Sequence, residues 1–290
     1  MKGREEDLEL RIDNMRRTIL ILLTIAVCCG YSVPVLGWGQ KGHRIIAKIA
    51  YDHLSKKARK AVDSTLGKQG MIYWSNWPDE IRSDTIYPNS YDWHFQDFNG
   101  GLSDSTVVAA LSDYPQEGGN LFRAIDELTG VLRASRGQGA PQPENRLVSR
   151  EMPQSDILKF IVHLSGDRFC PMHTAHMDDL GGNRVKMQWF GRETRLHTVW
   201  DTDLIESQGY SFSEYAEKLE IEYAGEKNAI EQMSEAELLL NNYHFTESIY
   251  AYQAVWDGNT YHYIYRWRQP MERQLYIAGI RLAKLLNELY

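Results

Sequence analysis

The stretch that most constrains this chain is His163-Leu-Ser-Gly-Asp167-Arg-Phe-Cys-Pro-Met-His173, with two histidines and an aspartate inside eleven residues. The residues before it, Ser155 to Val162, carry apolar side chains at helical spacing behind a candidate serine cap. His163 and Asp167 are four apart, so a helix places both on one face, one turn from each other. A second pair of the same spacing follows at His197 and Asp201. One such pair alone reads as a surface hydrogen bond or a cap. Two pairs with His173 between them make a donor set of imidazole nitrogen and carboxylate oxygen, which suits zinc.

A chain of 290 residues with 43% hydrophobic content is long enough for one large core or two small ones. A formal charge of −7 argues against a protein that grips nucleic acid with a basic surface. It leaves room for one that grips phosphate through bound cations.

The N-terminus reads as a targeting segment. Arg16-Arg17 precede an apolar run from Thr18 to Val27, and small residues follow up to Gly37. The run is short for a membrane span, so we expect cleavage before Trp38 and no stable span afterwards, with an uncleaved anchor as the alternative. Residues 1–14 are polar, and an ordinary leader would open at Met15. The expected organisation is a leader over 1–37 and one domain over 38–290, in a periplasmic or secreted protein. Of three cysteines, Cys28 and Cys29 fall in the leader, which leaves Cys170 as a packed thiol without a disulfide partner.

The mature chain would open Trp38-Gly-Gln-Lys-Gly-His43. A freed α-amino group and the carbonyl of the same residue can chelate a metal, with His43 close by. A helix is expected through Leu54, with His53 in a structural role, and a second over Lys56–Leu66 behind a Ser55 cap. Pro78 suits a first helical turn, which places Asp79 beside the helix start and Arg82 on the same face. Tyr91 to Asp97 reads as extended, with His94 among aromatic residues. Residues 98–119 and 137–151 read as loops, and Asn120–Arg133 as an amphipathic helix. Gly181–Gly191 alternates like a short hairpin, and further helices are expected over Ser213–Tyr223, Ser234–Trp256 and Met271–Tyr290. His176, His244 and His262 have no evident partners. The result is a mainly α, single-domain fold with one short β-hairpin.

Taken in order, these motifs resemble the S1/P1 zinc-dependent nuclease family, within the phospholipase C/nuclease fold. The match runs from Trp38 to about Trp256. It includes Trp-Gly-x3-His, Trp-Pro-Asp-x2-Arg, Trp-His-Phe, His-x3-Asp-x5-His, Gly-Gly-Asn and Leu-His-x2-Trp-Asp. Each motif alone is weak, and the ordered set is specific.

The resemblance implies three zinc ions. One would take Asp79, His94, His163 and Asp167. A second would take the Trp38 amine and carbonyl, His43 and a bridging Asp167. The third would take His173, His197 and Asp201. It further implies hydrolysis of single-stranded DNA and RNA, and of 3′-nucleotides, to 5′-phosphate products by a zinc-bridging hydroxide. Arg82, Asp167 and Asn183 would act at the phosphate, while Phe95 stacks a base and Asp97 hydrogen-bonds it. A monomer is expected. Two departures from the family pattern stand out, Cys170 where glutamine is usual and Met172 where leucine is usual. A phospholipase C of the same fold is the nearest alternative, and a non-catalytic zinc-binding protein the more distant one. Asp201, in place of that branch's glutamate, favours the nuclease.

Overall fold

The computed structural model describes residues 38–138 and 146–290. The leader expected over 1–37, with its cleavage point, and the middle of the second loop, 139–145, lie outside the described residues. The fold is mainly α with a single two-stranded sheet among the described residues.

The first helix, α1 (Gly39–Asp52), buries Ile45, Ile46, Ile49 and Ala50, an i, i+1, i+4, i+5 pattern that makes one apolar stripe. That stripe lies along the last helix, α13 (Thr260–Leu289). The two backbones approach closely because Gly279 has no side chain. A Cβ there would stand 2.5 Å from Ile49 Cγ2. Next come α2 (Lys56–Leu66), capped by the Ser55 hydroxyl, and the short α3 (Gly70–Trp74) and α4 (Trp77–Glu80). Helices α5 (Asp104–Ala109) and α6 (Leu121–Ser135) precede α7 (Gln154–Asp167). Helix α7 is buried on nearly every face, with Ile157, Leu158, Phe160, Ile161, Val162 and Leu164 almost inaccessible. It packs against α6, α4 and α13, so its last turn ends inside the molecule.

The hairpin pairs β1 (Lys186–Trp189) with β2 (Arg192–Arg195) in antiparallel register. Beyond it lie α8 (Leu196–Thr198), a π turn over Val199–Asp203, and α9 (Leu204–Glu206). Helices α10 (Phe212–Tyr223), α11 (Lys227–Gln232) and α12 (Glu235–Gln253) complete the fold. Ser211 with Glu214, and Ser234 with Glu237, form reciprocal capping boxes at α10 and α12.

Several expectations need correction. The hairpin lies five residues later than expected, because its turn is Phe190-Gly191, both at positive φ (48° and 78°). Residues 98–119 are not all loop. Ser103 caps α5, which buries Val107 in a small cluster with Phe98, Phe122 and Tyr243. Tyr91–Asp97 is extended only in its second half, since a 3₁₀ turn (Ser90–Trp93) is followed by isolated bridges at Gln96 and Phe98. Helix α7 starts at Gln154 without a Ser155 cap. Helix α13 begins at Thr260 and runs through Pro270, although a proline inside a helix costs about 3 kcal/mol. Buried Tyr263 and Trp267 before the proline, and Met271 and Leu275 after it, hold both halves on the core.

Candidate metal centre

Asp167, fully buried at the end of α7, is the hub of the site. Its Oδ2 lies 3.3 Å from His163 Nε2, one helical turn earlier, and 3.1 Å from His94 Nδ1. Its Oδ1 lies 3.2 Å from His43 Nε2 on α1 and 3.5 Å from His173 Nδ1. Four imidazoles from four parts of the chain therefore face one carboxylate. Asp79 on α4 adds a second carboxylate, with Oδ1 3.6 Å from His163 Nε2 and 3.7 Å from His94 Nδ1. Arg82 Nε lies 3.5 Å from that same oxygen. The rings of His43 and His163 stack 3.8 Å apart.

The second pair sits beside this group. His197 Nε2 is 2.9 Å from Asp201 Oδ2, and His173 Nε2 is 4.0 Å from Asp201 Oδ1. The π turn begins between the two members of the pair and keeps both inward and buried.

Backbone carbonyls set the histidine tautomers. His163, His173 and His197 each place Nδ1 2.6 Å from a carbonyl oxygen, those of Ser75, His94 and Gly181 respectively. An Nδ1–H that donates to a carbonyl leaves the Nε2 lone pair pointing inward, as a metal ligand requires. The Gly181 carbonyl reaches His197 through a turn that needs glycine. Gly181 and Gly182 have φ of +63° and +81°, and a Cβ on Gly181 would stand 2.6 Å from the Met172 carbonyl oxygen.

The residues present fit a metal. Both oxygens of Asp79, Asp167 Oδ1, both nitrogens of His43, and the Nε2 atoms of His94, His173 and His197 are buried without a hydrogen-bond partner. Each such orphan costs about 1–3 kcal/mol, and cations among these donors would satisfy the carboxylate oxygens and one nitrogen of each ring. Donor atoms converge in three sets: His43, His163 and Asp167; Asp79, His94 and His163; and Cys170, His173 and Asp201. Nitrogen and carboxylate oxygen are zinc's usual protein donors.

Proton affinities in the site diverge. Burial opposes charge on His163, yet Asp167 and Asp79 outweigh it and raise the imidazole to about 9. Burial drives His173 down to about 3 and lifts Asp201 to about 7. Burial would also raise Asp167, but His163 and His173 hold it well below the usual carboxylate range.

Trp38 is fully buried just ahead of α1. Phe95 is half-buried, edge-on to Tyr91 at 5.8 Å. Asp97 is buried beside the Gly181 turn, its Oδ1 unpartnered. Asn183 is half-buried past that turn, with its amide donating to the Leu180 carbonyl rather than into the cluster.

Cys170 is packed, as expected, and it also donates its thiol to Asp201 Oδ1 at 3.3 Å. Burial and the neighbouring Asp201 push the thiol well above its ordinary pKa, so it is a donor and not a thiolate. Only its position next to Pro171 in the sequence hinted at this. His53 pairs with Glu220, and His176 with Glu247 while it stacks on Tyr250 at 3.8 Å. His244 and His262 form exposed pairs with Asp104 and Asp257. All four histidines have partners outside the cluster.

The family profile described as S1/P1 nuclease matches residues 38–290. The chain belongs to the S1/P1 nuclease family. Among its relatives, Endonuclease 2 of Arabidopsis thaliana is 25% identical over 303 residues, covering 96% of this chain and 99% of that protein. Nuclease S1 of Aspergillus oryzae is 29% identical over 185 residues, 61% of this chain and 58% of its own length. Nuclease P1 of Penicillium citrinum is 26% identical over 168 residues, 57% of each chain. His43, His94, His163 and His173 lie far apart in sequence and meet around Asp167.

Proposed function

We propose that this family member is an exported, zinc-dependent endonuclease that hydrolyses single-stranded DNA and RNA, and 3′-nucleotides, to 5′-phosphate products. The observation that carries this reading is the convergence of His43, His94, His163 and His173 on the Asp167 carboxylate. Three ions would be held by Asp79, His94, His163 and Asp167; by His43, Asp167 and the freed Trp38 terminus; and by His173, His197 and Asp201. When bound, they supply positive charge that makes a water acidic near neutral pH and neutralises phosphoryl oxygens.

The chain's own groups do the rest. Asp167 offers one oxygen to His43 and the other to His94 and His163, so it can serve two ions at once. Arg82, whose position Asp79 fixes, presents a guanidinium to charge that builds on the phosphoryl oxygens. Asn183 would bind a phosphate oxygen on releasing the Leu180 carbonyl that its amide now holds. Phe95 and Tyr91 present rings to an unpaired base, which is sequence-tolerant and favours single strands. Asp97 offers an unpartnered oxygen to the base edge. Cleavage of a leader before Trp38 would free the amine and export the protein. No helix among the described residues is long and apolar enough to cross a membrane.

The test is to assay zinc-loaded protein on single-stranded DNA, RNA and phosphatidylcholine. Cleavage of both nucleic acids is expected, with full loss on chelation and recovery with zinc. Hydrolysis of the lipid alone would assign the site to phospholipase C chemistry. Inertness of fully loaded protein toward all three would make it a zinc-binding protein without catalysis.

A further inference from the structure

The net charge of −7 conceals a local reversal. Between residues 56 and 68 the sequence holds Lys56, Lys57, Arg59, Lys60 and Lys68 against one carboxylate, Asp63. Asp63 already accepts from the Tyr51 hydroxyl and from the Gln69 amide. Lys56, Lys60 and Lys68 are exposed, and their ammonium groups make no ion pair among the described residues. They line a shallow concavity along α2, a helix about 16 Å long.

An aromatic strip continues from it. The indole of Trp74 lies against Gly70, with Cδ1 3.5 Å from where a Cβ would stand, two residues beyond Lys68. Trp74 is 42% exposed and its neighbour Tyr73 62% exposed, unusual for rings of that size. Lys159 Nζ, paired with Asp156 Oδ1 at 3.0 Å, sits 4.7 Å from the Trp74 ring centre and 4.1 Å from that of Trp77, which opens α4 just before Asp79. The unpaired lysines of α2 are thus followed in sequence by the exposed rings of Tyr73 and Trp74, with half-buried Trp77 next to Asp79 beyond them. Lysines to track phosphates and aromatic faces for bases are what a groove for single-stranded nucleic acid is made of.

We propose that α2 and α3 form an exosite that holds single-stranded polynucleotide outside the metal centre. The exosite rests on the nuclease reading for its biological sense, but it binds without turnover. Its ligand is a flexible polyanion with unpaired bases, longer than a dinucleotide bound at the centre.

The test compares wild type with a Lys56→Gln/Lys60→Gln/Lys68→Gln variant. On long single-stranded DNA, KM should rise about tenfold and the log–log salt dependence should flatten by about 2, the loss expected for three phosphate contacts. Turnover of a dinucleotide should be unchanged, which also reports intact folding. Equal loss on both substrates, or an unaltered KM and salt slope on the polymer, overturns the exosite. Fluorescence anisotropy of labelled oligo(dT) with chelator-treated protein reads the strip independently of catalysis. If wild type cleaves nothing yet binds oligo(dT) in a salt-sensitive way that the variant has lost, the exosite stands and the nuclease reading falls. If the variant loses only sedimentation with phosphatidylserine vesicles and keeps oligo(dT) binding, the strip is a lipid surface and the proposal fails.

Discussion

At the scale of the residue, Asp167 decides the site. A buried carboxylate ringed by four imidazoles is stable only if they share protons or hold cations between them. Asp167→Asn keeps the shape and removes the charge that lets one side chain serve two ions. We expect wild type to carry three zinc ions per chain and the variant one, held by His173, His197 and Asp201, as read by elemental analysis. A variant that keeps more than one refutes the bridging role. The His163–Asp167 and His197–Asp201 pairs were legible because helical spacing alone puts i and i+4 on one face. The thiol contact from Cys170 to Asp201 was not, because it crosses 31 positions and depends on how the Pro171–His173 turn meets the π turn.

At the scale of the element, the closest contact in the core is between α1 and α13. A Gly279 Cβ would meet Ile49 Cγ2 at 2.5 Å and Ile49 Cβ at 2.7 Å, and no rotamer of Ile49 relieves the second. Gly279→Ala gains helix propensity of about 1 kcal/mol, and overpacking costs about 1–3 kcal/mol. The net expectation is a destabilised protein with a lower urea midpoint, and because α1 carries His43, weaker zinc retention. An unchanged or raised midpoint would mean that the two helices separate at no cost. Helix α2 was readable from its Ser55 cap and α6 from its apolar period, and α10 and α12 lie close to their expected bounds. Helix α5 was not, because six residues with one buried side chain carry no period. The start of α13 was misjudged because Pro270 reads locally as a stop, whereas tertiary burial on both sides holds the helix through it.

At the scale of the whole molecule, stability depends on what the core does to its charges. Asp97 is raised to about 7, mainly by burial, with Asp179 adding to it and His197 and the Ala175 amide opposing it. Its unfolded reference is 3.8, so between about 4 and 7 the folded state binds more protons than the unfolded chain. This group's contribution is therefore most favourable below about 4 and is lost as pH rises through about 7. Chelator-treated Asp97→Asn should unfold at a higher urea concentration than wild type at pH 8, with the gap closing toward pH 4. A gap that widens at low pH would reverse the assignment. On the proposed reading zinc binds only the assembled site, so we expect loaded protein to melt above chelated protein by an amount that grows with free zinc.

The sequence by itself determined the class of the molecule and the identity of its candidate donors. Helical period, caps, and an ordered series of histidine and aspartate motifs are local patterns, and a linear chain displays them in full. Only the tertiary structure decided which donors meet. The meeting of His43, His94, His163 and His173 at one carboxylate depends on α1 crossing α13 at Gly279 and on α7 ending inside the core, while a glycine pair turns the chain behind His197 and aims it at Asp201. Those are long-range contacts, fixed by how buried faces fit together, and no window along the chain contains them.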